Sequence, residues 1–247
     1  MKILYDPHTH TSWSHGTATA SEMIKKAHDM GLRGIHITEH GWNHHYARKM
    51  TRESYISLKT EIEENKKLYP DMDIKFGTEA NIISLDGDID FPDDMLGIFD
   101  VVNVGYHMLI KWKNIKSWWK LFVPCALSKK LHMKFLDKGL SQRTTDAMLK
   151  CLDRYHIDMI THPGRNYPID IEKIAEKCIE TGTLLEINGE CGLMNEEMVN
   201  KIKDTDVKYI VGSDAHWPER IADVSRSFEI IDKTGLDPKK VVNLTID

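Results

Sequence analysis

Seven short apolar runs, "KILY", "GIHIT", "IKFGTE", "DVVNVGYH", "DMITH", "TLLEIN" and "KYIVGSDAH", alternate with amphipathic stretches through most of the chain. Runs of that length read as strands, and the intervening stretches repeat their apolar residues with the period of a helix. A strand followed by a helix returns the chain to the same edge in the same direction. Successive strands therefore pair in parallel, and the chain is expected to form an α/β fold with helices around a parallel sheet or barrel.

Local signals support the helices. In "TASEMIKKAHDMG", Thr19 and Glu22 fit a capping box, Met23, Ala27 and Met30 share a face, and Gly31 suits the C-terminal stop. A long helix is expected in "RESYISLKTEIEENKKLY", ended by Pro70. Further helices are expected in "TTDAMLKCLDRYH", "DIEKIAEKCIETG" and "NEEMVNKIKD", with a helical stretch after the seventh strand. No Gly/Ser linker or tandem repeat divides the chain, so residues 1–247 read as one domain. The rhythm breaks between Lys111 and Lys134, where three tryptophans and seven lysines occur with no acidic residue. That segment reads as an insertion, either an amphipathic helix packed on the barrel or a cover for a site.

Composition narrows the function classes. With 33 basic and 38 acidic side chains the formal charge is -5, which disfavours generic binding to a nucleic acid backbone or an anionic membrane. No stretch approaches the ~18 consecutive apolar residues that a spanning helix needs. Cys125, Cys151, Cys178 and Cys191 are scattered and form no CxxC, so they read as reduced thiols and the expected compartment is the cytoplasm.

Chemistry collects where the strands end. His8 and His10 follow the first, His40 the second, Glu79 the third, His107 the fourth and His162 the fifth, while Asp214 and His216 follow the seventh. His15 joins from the first loop. The C-terminal ends of the strands of a parallel barrel open on one face, where active sites are built, so these distant residues are expected to converge. Each alone has a plain explanation: alternate strand residues face the same way, and a lone carboxylate is usually solvated. Six of seven strands ending in a candidate ligand has no such explanation, and the set suits divalent Zn, Mn or Fe in a number that one ion could not use.

In this order, "HTHTSWSHG", "ITEHG", "GTEANI", "VGYH", "THPG" and "VGSDAH" resemble the signature series of the polymerase and histidinol phosphatase (PHP) family of metal-dependent phosphoesterases. The resemblance covers nearly the whole chain apart from the insertion and the last few residues, and "GTEAN" followed by "DGDID" is most similar to the small stand-alone phosphatases of that family. It implies a distorted (βα)7 TIM-like barrel carrying a trinuclear metal site at the C-terminal ends of the strands. It also implies ligands: His8, His10, Glu79 and Asp214 for one ion, Glu79 bridging to a second with His107 and His162, and His15, His40 and His216 for a third. Two departures from the pattern are Glu39, where the family's "TDH" has a shorter acid, and a slightly short loop between His10 and His15.

The other histidines have plainer expectations. His36 reads as an interior strand residue, His28 and His156 lie on helices, and His132 lies in the insertion, whereas His44 and His45 follow His40 on a loop that could meet substrate. Asp6 is expected to orient a ligating histidine or to cap a turn. Arg165, just after His162, suits bidentate contact with phosphoryl oxygens.

Two or three such ions would attract a phosphate and generate hydroxide at neutral pH for in-line displacement, so no side-chain nucleophile is needed. The leading expectation is hydrolysis of phosphate monoesters of small metabolites; histidinol phosphate is one such substrate because the family includes that activity. Competing expectations are a phosphodiesterase or 3'-5' exonuclease, which needs a basic track with stacking aromatics, and a non-catalytic regulatory metal-binding module. The expected partner is thus a small phosphorylated substrate, with nucleic acid kept as the less favoured alternative and no membrane.

Overall fold

β-Branched and aromatic residues between turn signals become strands, and the capped, periodic stretches become helices. The computed structural model describes residues 1–45, 50–131, 135–190 and 194–245; Cys191 and His132 lie outside them. Its first half runs β1 (Lys2–Ile3), β2 (Tyr5–Thr9), α1 (Ala20–Asp29), β3 (Gly34–His40), α2 (Arg52–Leu68), β4 (Asp73–Asn81), α3 (Asp93–Leu96) and β5 (Val101–Gly105). Then come α4 (Ile115–Ser117), a π-helical turn (Trp118–Phe122), α5 (Val123–Leu131), α6 (Phe135–Arg154) and β6 (Met159–Ile160). The chain continues through α7 (Ile171–Thr181), β7 (Leu184–Asn188), α8 (Glu196–Ile202), β8 (Tyr209–Gly212), α9 (Ser225–Thr234) and β9 (Leu244–Thr245).

Strands β2 to β8 form one seven-stranded sheet in chain order, with every neighbouring pair parallel. The two edges meet where Thr9 bridges Ala215 in parallel and the His10 amide donates to the Ala215 carbonyl at 2.8 Å. The sheet is therefore a nearly closed (βα)7 barrel, as the strand–helix alternation and the family resemblance both imply.

Helices cover it with their apolar faces. Ala20, Met23, Ile24 and Ala27 of α1, Tyr55, Leu58 and Ile62 of α2, and Ile171, Ile174, Ala175 and Cys178 of α7 are buried. Each fully buried large side chain contributes roughly 1.5–3 kcal/mol. The Thr19–Glu22 capping box is present and Gly31 adopts φ 77°, but Met30 is the C-cap and is 46% exposed, off the buried face.

Three boundaries differ from the sequence pattern. "KILY" splits: Lys2–Ile3 pairs antiparallel with Leu244–Thr245 outside the barrel, and the first barrel strand is Tyr5–Thr9. Its register shifts between Asp6 and Thr9, around Pro7, which has no amide to donate. Helix α6 begins at Phe135, well before "TTDAM", because burial of Leu140 overrides the low helix propensity of Gly139. His156 lies just beyond that helix and is largely exposed.

Among the described residues Cys125, Cys151 and Cys178 are buried and form no disulfide, and no helix is long and apolar enough to cross a membrane. In the Trp/Lys segment, Trp112, Leu121 and Cys125 are buried, Trp118 stacks on Phe122 with ring centroids 6.0 Å apart, and Trp119 is 62% exposed.

Candidate metal centre

Parallel register places the key carboxylate. Glu79 on β4 is paired directly across from His40 on β3, so both side chains emerge at the same level of the barrel mouth. His8 lies within β2 and His10 just past its end, His107 and His162 each sit two residues beyond their strands, and Asp214 and His216 follow β8. His162 and Asp214 have left-handed backbones, φ 31° and 55°, in a region that His and Asp tolerate better than most side chains. Gly105 and Gly212 make room behind them: a Cβ at Gly105 would overlap Thr161 Oγ1, and one at Gly212 would overlap Glu186 Oε1.

Four groups crowd the first position. His8 Nε2 lies 3.1 Å from His10 Nε2, 3.6 Å from Glu79 Oε1 and 3.5 Å from Asp214 Oδ1, and His10 Nε2 lies 3.2 Å from Asp214 Oδ1. Donors bound about 2.1 Å from a tetrahedral ion stand about 3.4 Å apart, so this spacing suits four ligands of one cation. At the second, Glu79 Oε1 is 2.7 Å from His162 Nε2 and 3.4 Å from His107 Nε2. Ligand atoms of Glu79, His107 and His162 all lie within 4.8 Å of one another. At the third, the tight grouping is His10, His40 and His216, and a further one joins His40, His44 and His107. His15 reaches the same place, with its ring centroid 4.2 Å from His216 and 4.7 Å from His40. All nine sequence-predicted ligand residues thus converge on one mouth.

The hydrogen bonding explains what this cluster fits. His40 Nδ1 comes within 2.8 Å of Glu79 Oε2. Neither this contact nor the one to His162 is aligned as a hydrogen bond, and both buried oxygens of Glu79 lack a hydrogen-bonding partner, as do His40 Nδ1, His162 Nε2 and His216 Nε2. Buried polar atoms are rarely left so, because each costs about 1–3 kcal/mol. Lone pairs facing a common point, with their outer edges held, are the arrangement that a divalent cation satisfies.

Electrostatics agree with that reading. Burial opposes charge on Glu79, but His107, His8, His162 and His40 outweigh it and hold the carboxyl well below its ordinary range. Asp214 is likewise held low against burial, by His8 and His10. Burial pushes His10 down to about 3, reinforced by His216, which keeps its ring neutral and able to ligate.

Several positioning groups lie behind the ligands. Glu186 on β7 accepts from His8 Nδ1 at 2.8 Å, from the His162 amide at 2.7 Å and from Asn188 Nδ2 at 3.0 Å. Asn81 Oδ1 accepts from His107 Nδ1 at 2.7 Å, and Asp90 fixes Asn81 through its amide and Nδ2. Glu39 accepts from the amide and hydroxyl of Thr11 and from the Ser14 hydroxyl, so it pins the loop that carries His15. Its burial pushes the carboxyl up to about 7. Asp6 orients no imidazole; it accepts from the His8, Ser213 and Ala222 amides and the Ser213 hydroxyl, tying β2 to the loop after β8.

Sequence reasoning missed Glu186 and Asn81. The signal for Glu186 was a carboxylate inside the apolar run "LLEIN", where burial demands a partner.

A cavity of about 310 Å³ opens over the cluster, lined by His15, His44, His107, Met108, Arg165 and Asn166 among others. One wall is a clip in which His44 bridges Ile110 antiparallel and Asn43 bonds Lys111 in both directions. Arg165 donates to Asp214 Oδ2 at 2.9 Å and to Glu190 Oε2 at 2.7 Å, so its guanidinium lies beside the cluster. His45 is exposed, with its amide bonded to Leu109.

Comparison with known proteins agrees with the fold. The family model described as PHP domain matches residues 6–190. The chain is 28% identical to a probable phosphatase of Shewanella halifaxensis, over 98% of this chain and 89% of that protein. It is 26% identical to a probable phosphatase of Thermoanaerobacter, over 100% and 92%. Among solved structures, a histidinol phosphate phosphatase from Lactococcus lactis, complexed with zinc, L-histidinol and phosphate, superposes with a TM-score of 0.64 at 16% identity, covering 96% of this chain and 95% of that one.

Proposed function

This chain belongs to the PHP domain family of metal-dependent phosphatases, and on that premise we propose that it hydrolyses phosphate monoesters of small metabolites at a centre of two to three divalent transition-metal ions. The observation that carries the reading is the buried Glu79 carboxylate, surrounded by imidazoles yet hydrogen-bonded by none. His8, His10, Glu79 and Asp214 would hold one ion, Glu79, His107 and His162 a second, and His15, His40 and His216 a third. Such ions supply Lewis-acid polarisation of a phosphoryl oxygen and acidify water.

The chain's own groups do the rest. Arg165, already steered by Asp214 and Glu190, offers a planar pair of N–H donors to phosphoryl oxygens that enter the cavity. Glu186 and Asn81 hold the Nδ1 protons of His8 and His107, which leaves each Nε2 lone pair directed inward. Met108 and the clip around Ile110 wall the cavity against bulk water.

A phosphomonoesterase is favoured over an exonuclease because two of the three insertion tryptophans are packed away and only Trp119 is largely exposed, so the described residues of the insertion supply no row of stacking aromatics. The test compares p-nitrophenyl phosphate, bis-p-nitrophenyl phosphate and a single-stranded oligonucleotide, each with Zn, Mn or Fe, alongside elemental analysis. Monoester turnover that chelation abolishes and two to three ions per chain are expected. Preferred cleavage of the diester or oligonucleotide, or full activity with one ion or none, overturns the proposal. Histidinol phosphate, named for the Lactococcus lactis neighbour, belongs in the same panel.

A further inference from the structure

The Trp/Lys segment forms one wall of a second cavity. This space, of about 230 Å³, is lined by Ser128 and Lys129 of α5, Leu140 of α6, and Gly164, Asn166 and Pro168 of the loop after β6. Arg165 and Asn166 line both this cavity and the one over the metal ligands, so the two spaces share a wall. Pockets that enclose a drug-sized ligand hold about 300–1,000 Å³. The second cavity is smaller and suits a single small organic group.

Helix α5 is fastened to the loop it faces. The Cys125 thiol donates to the Asn166 carbonyl at 3.1 Å and lies 3.5 Å from Met108 Sδ, while Asn166 Nδ2 donates to the Tyr106 carbonyl at 3.0 Å. Arg143 of α6 donates to the Lys120 carbonyl at 2.9 Å and so holds the π-helical turn that precedes α5. Leu140 is fully buried and gives the cavity an apolar floor.

Lys129 gives it charge. Its Nζ stands 3.4 Å from Asn166 Oδ1, a long hydrogen bond, and among the described residues no carboxylate lines the cavity or forms an ion pair with Lys129. The Arg165 guanidinium on the shared wall is already held by Asp214 at 2.9 Å and Glu190 at 2.7 Å. An anionic group that enters from the metal side therefore meets an ammonium with no carboxylate beside it, and a cationic group meets like charge.

We propose that this cavity is the leaving-group subsite, and that it selects small phosphate monoesters whose leaving group ends in an anionic group, with Lys129 as the charged contact and Leu140 and Pro168 against the intervening carbons. The inference rests on the phosphatase reading above and extends it to a substrate class.

The test uses the metal-loaded protein and the phosphate monoesters of 4-hydroxybutanoate, 4-hydroxybutanamide and 4-aminobutan-1-ol, which differ in the group at the end of the chain. The expected kcat/KM order is carboxylate, carboxamide, ammonium, with the carboxylate ahead of its isosteric amide by about two- to fivefold, the scale of one exposed ion pair. In Lys129→Gln that ratio falls toward one, and in Lys129→Arg it is kept. Lys130→Gln, on the same helix but outside the lining, is expected to keep the wild-type ratio. The matching phosphonates, which cannot be hydrolysed, are titrated calorimetrically and are expected to bind in the same order. Equal values for carboxylate and carboxamide, a preference for the ammonium, or an equal fall in Lys130→Gln, the mark of a diffuse field from the lysine-rich segment, overturns the subsite. Failure of all three esters to react sinks the phosphatase reading instead. The phosphonates then decide the subsite: the same order, lost in Lys129→Gln, supports it, and equal or absent binding overturns it.

Discussion

Replacing Glu186 by Gln removes one charge and almost no volume, yet it should weaken metal binding more than its distance from the ions suggests. Glu186 accepts three hydrogen bonds, from His8 Nδ1, the His162 amide and Asn188 Nδ2. A glutamine presents one acceptor and one donor to those three donors, so its NH2 must face a group that also donates. The least costly relaxation is for His8 to accept at Nδ1 and carry its proton at Nε2, the atom that stands 3.1 Å from His10 Nε2 and 3.5 Å from Asp214 Oδ1. A protonated Nε2 cannot ligate. Loss of such a positioning partner typically lowers metal affinity 10–100-fold, or about 1.4–2.7 kcal/mol.

Competition of wild type and Glu186→Gln against a chromogenic zinc chelator measures this directly, with far-ultraviolet dichroism as the check on folding. A folded variant whose zinc affinity lies within twofold of wild type would refute both the tautomer and the ligand role given to His8.

Three further outcomes follow from the geometry. Glu79→Gln should lower metal content and turnover together and do more damage than His15→Ala, because Glu79 contacts five imidazoles and His15 stands at the rim; comparable mild losses by elemental analysis and p-nitrophenyl phosphate assay would misplace the bridge. Glu39, pushed up to about 7, holds a proton in the folded state that the unfolded chain releases near its ordinary value, so its contribution is greatest at low pH and is lost as pH rises from about 4.5 through 7. Denaturation of metal-free protein should show this slope, worth up to roughly 3 kcal/mol, flattened in Glu39→Gln; an unchanged slope counts against it. Replacing residues 111–134 with a short Gly/Ser loop should leave metal content nearly intact but change the relative kcat/KM of small and bulky esters, whereas an unchanged profile with aggregation or loss of a dimer identifies the segment as packing.

Much of the barrel was legible because its seven strands announce themselves by apolar run length, while α1, α2, α7 and α8 carry capping residues at their starts. The convergence of His8, Glu79, His107 and Asp214 followed from parallel topology alone, since all strand ends share one face. What stayed hidden depends on pairing across the barrel. That Glu186 serves His8, 178 positions away, is fixed by the closeness of β7 and β2 across the interior and leaves no local pattern. Asp6 gave the same difficulty in reverse: its place beside His8 suggested an imidazole partner, but its oxygens turn to Ser213 and Ala222 across the barrel seam. The early start of α6 was illegible for a different reason, because tertiary burial of Leu140 decides it and helix propensity does not.

The seam itself unites fold and chemistry. Among the described residues, edges β2 and β8 are joined by the Thr9–Ala215 bridge and its flanking hydrogen bond, with Thr17 donating to the His216 carbonyl beyond them, far less backbone pairing than the seven-residue register of β3 with β4. Side chains make up the difference: Asp6 reaches from β2 to Ser213 and Ala222, and Arg165 and His10 both meet Asp214. An ion held by His8 and His10 on one edge and Asp214 on the other would bind across that gap. Its binding free energy would then act where the barrel has fewest backbone hydrogen bonds, and a ligand at a thousandfold its Kd adds about 4 kcal/mol to stability. The residues proposed to hold that ion would in this way also help to close the barrel, at the seam where the described backbone pairing is thinnest.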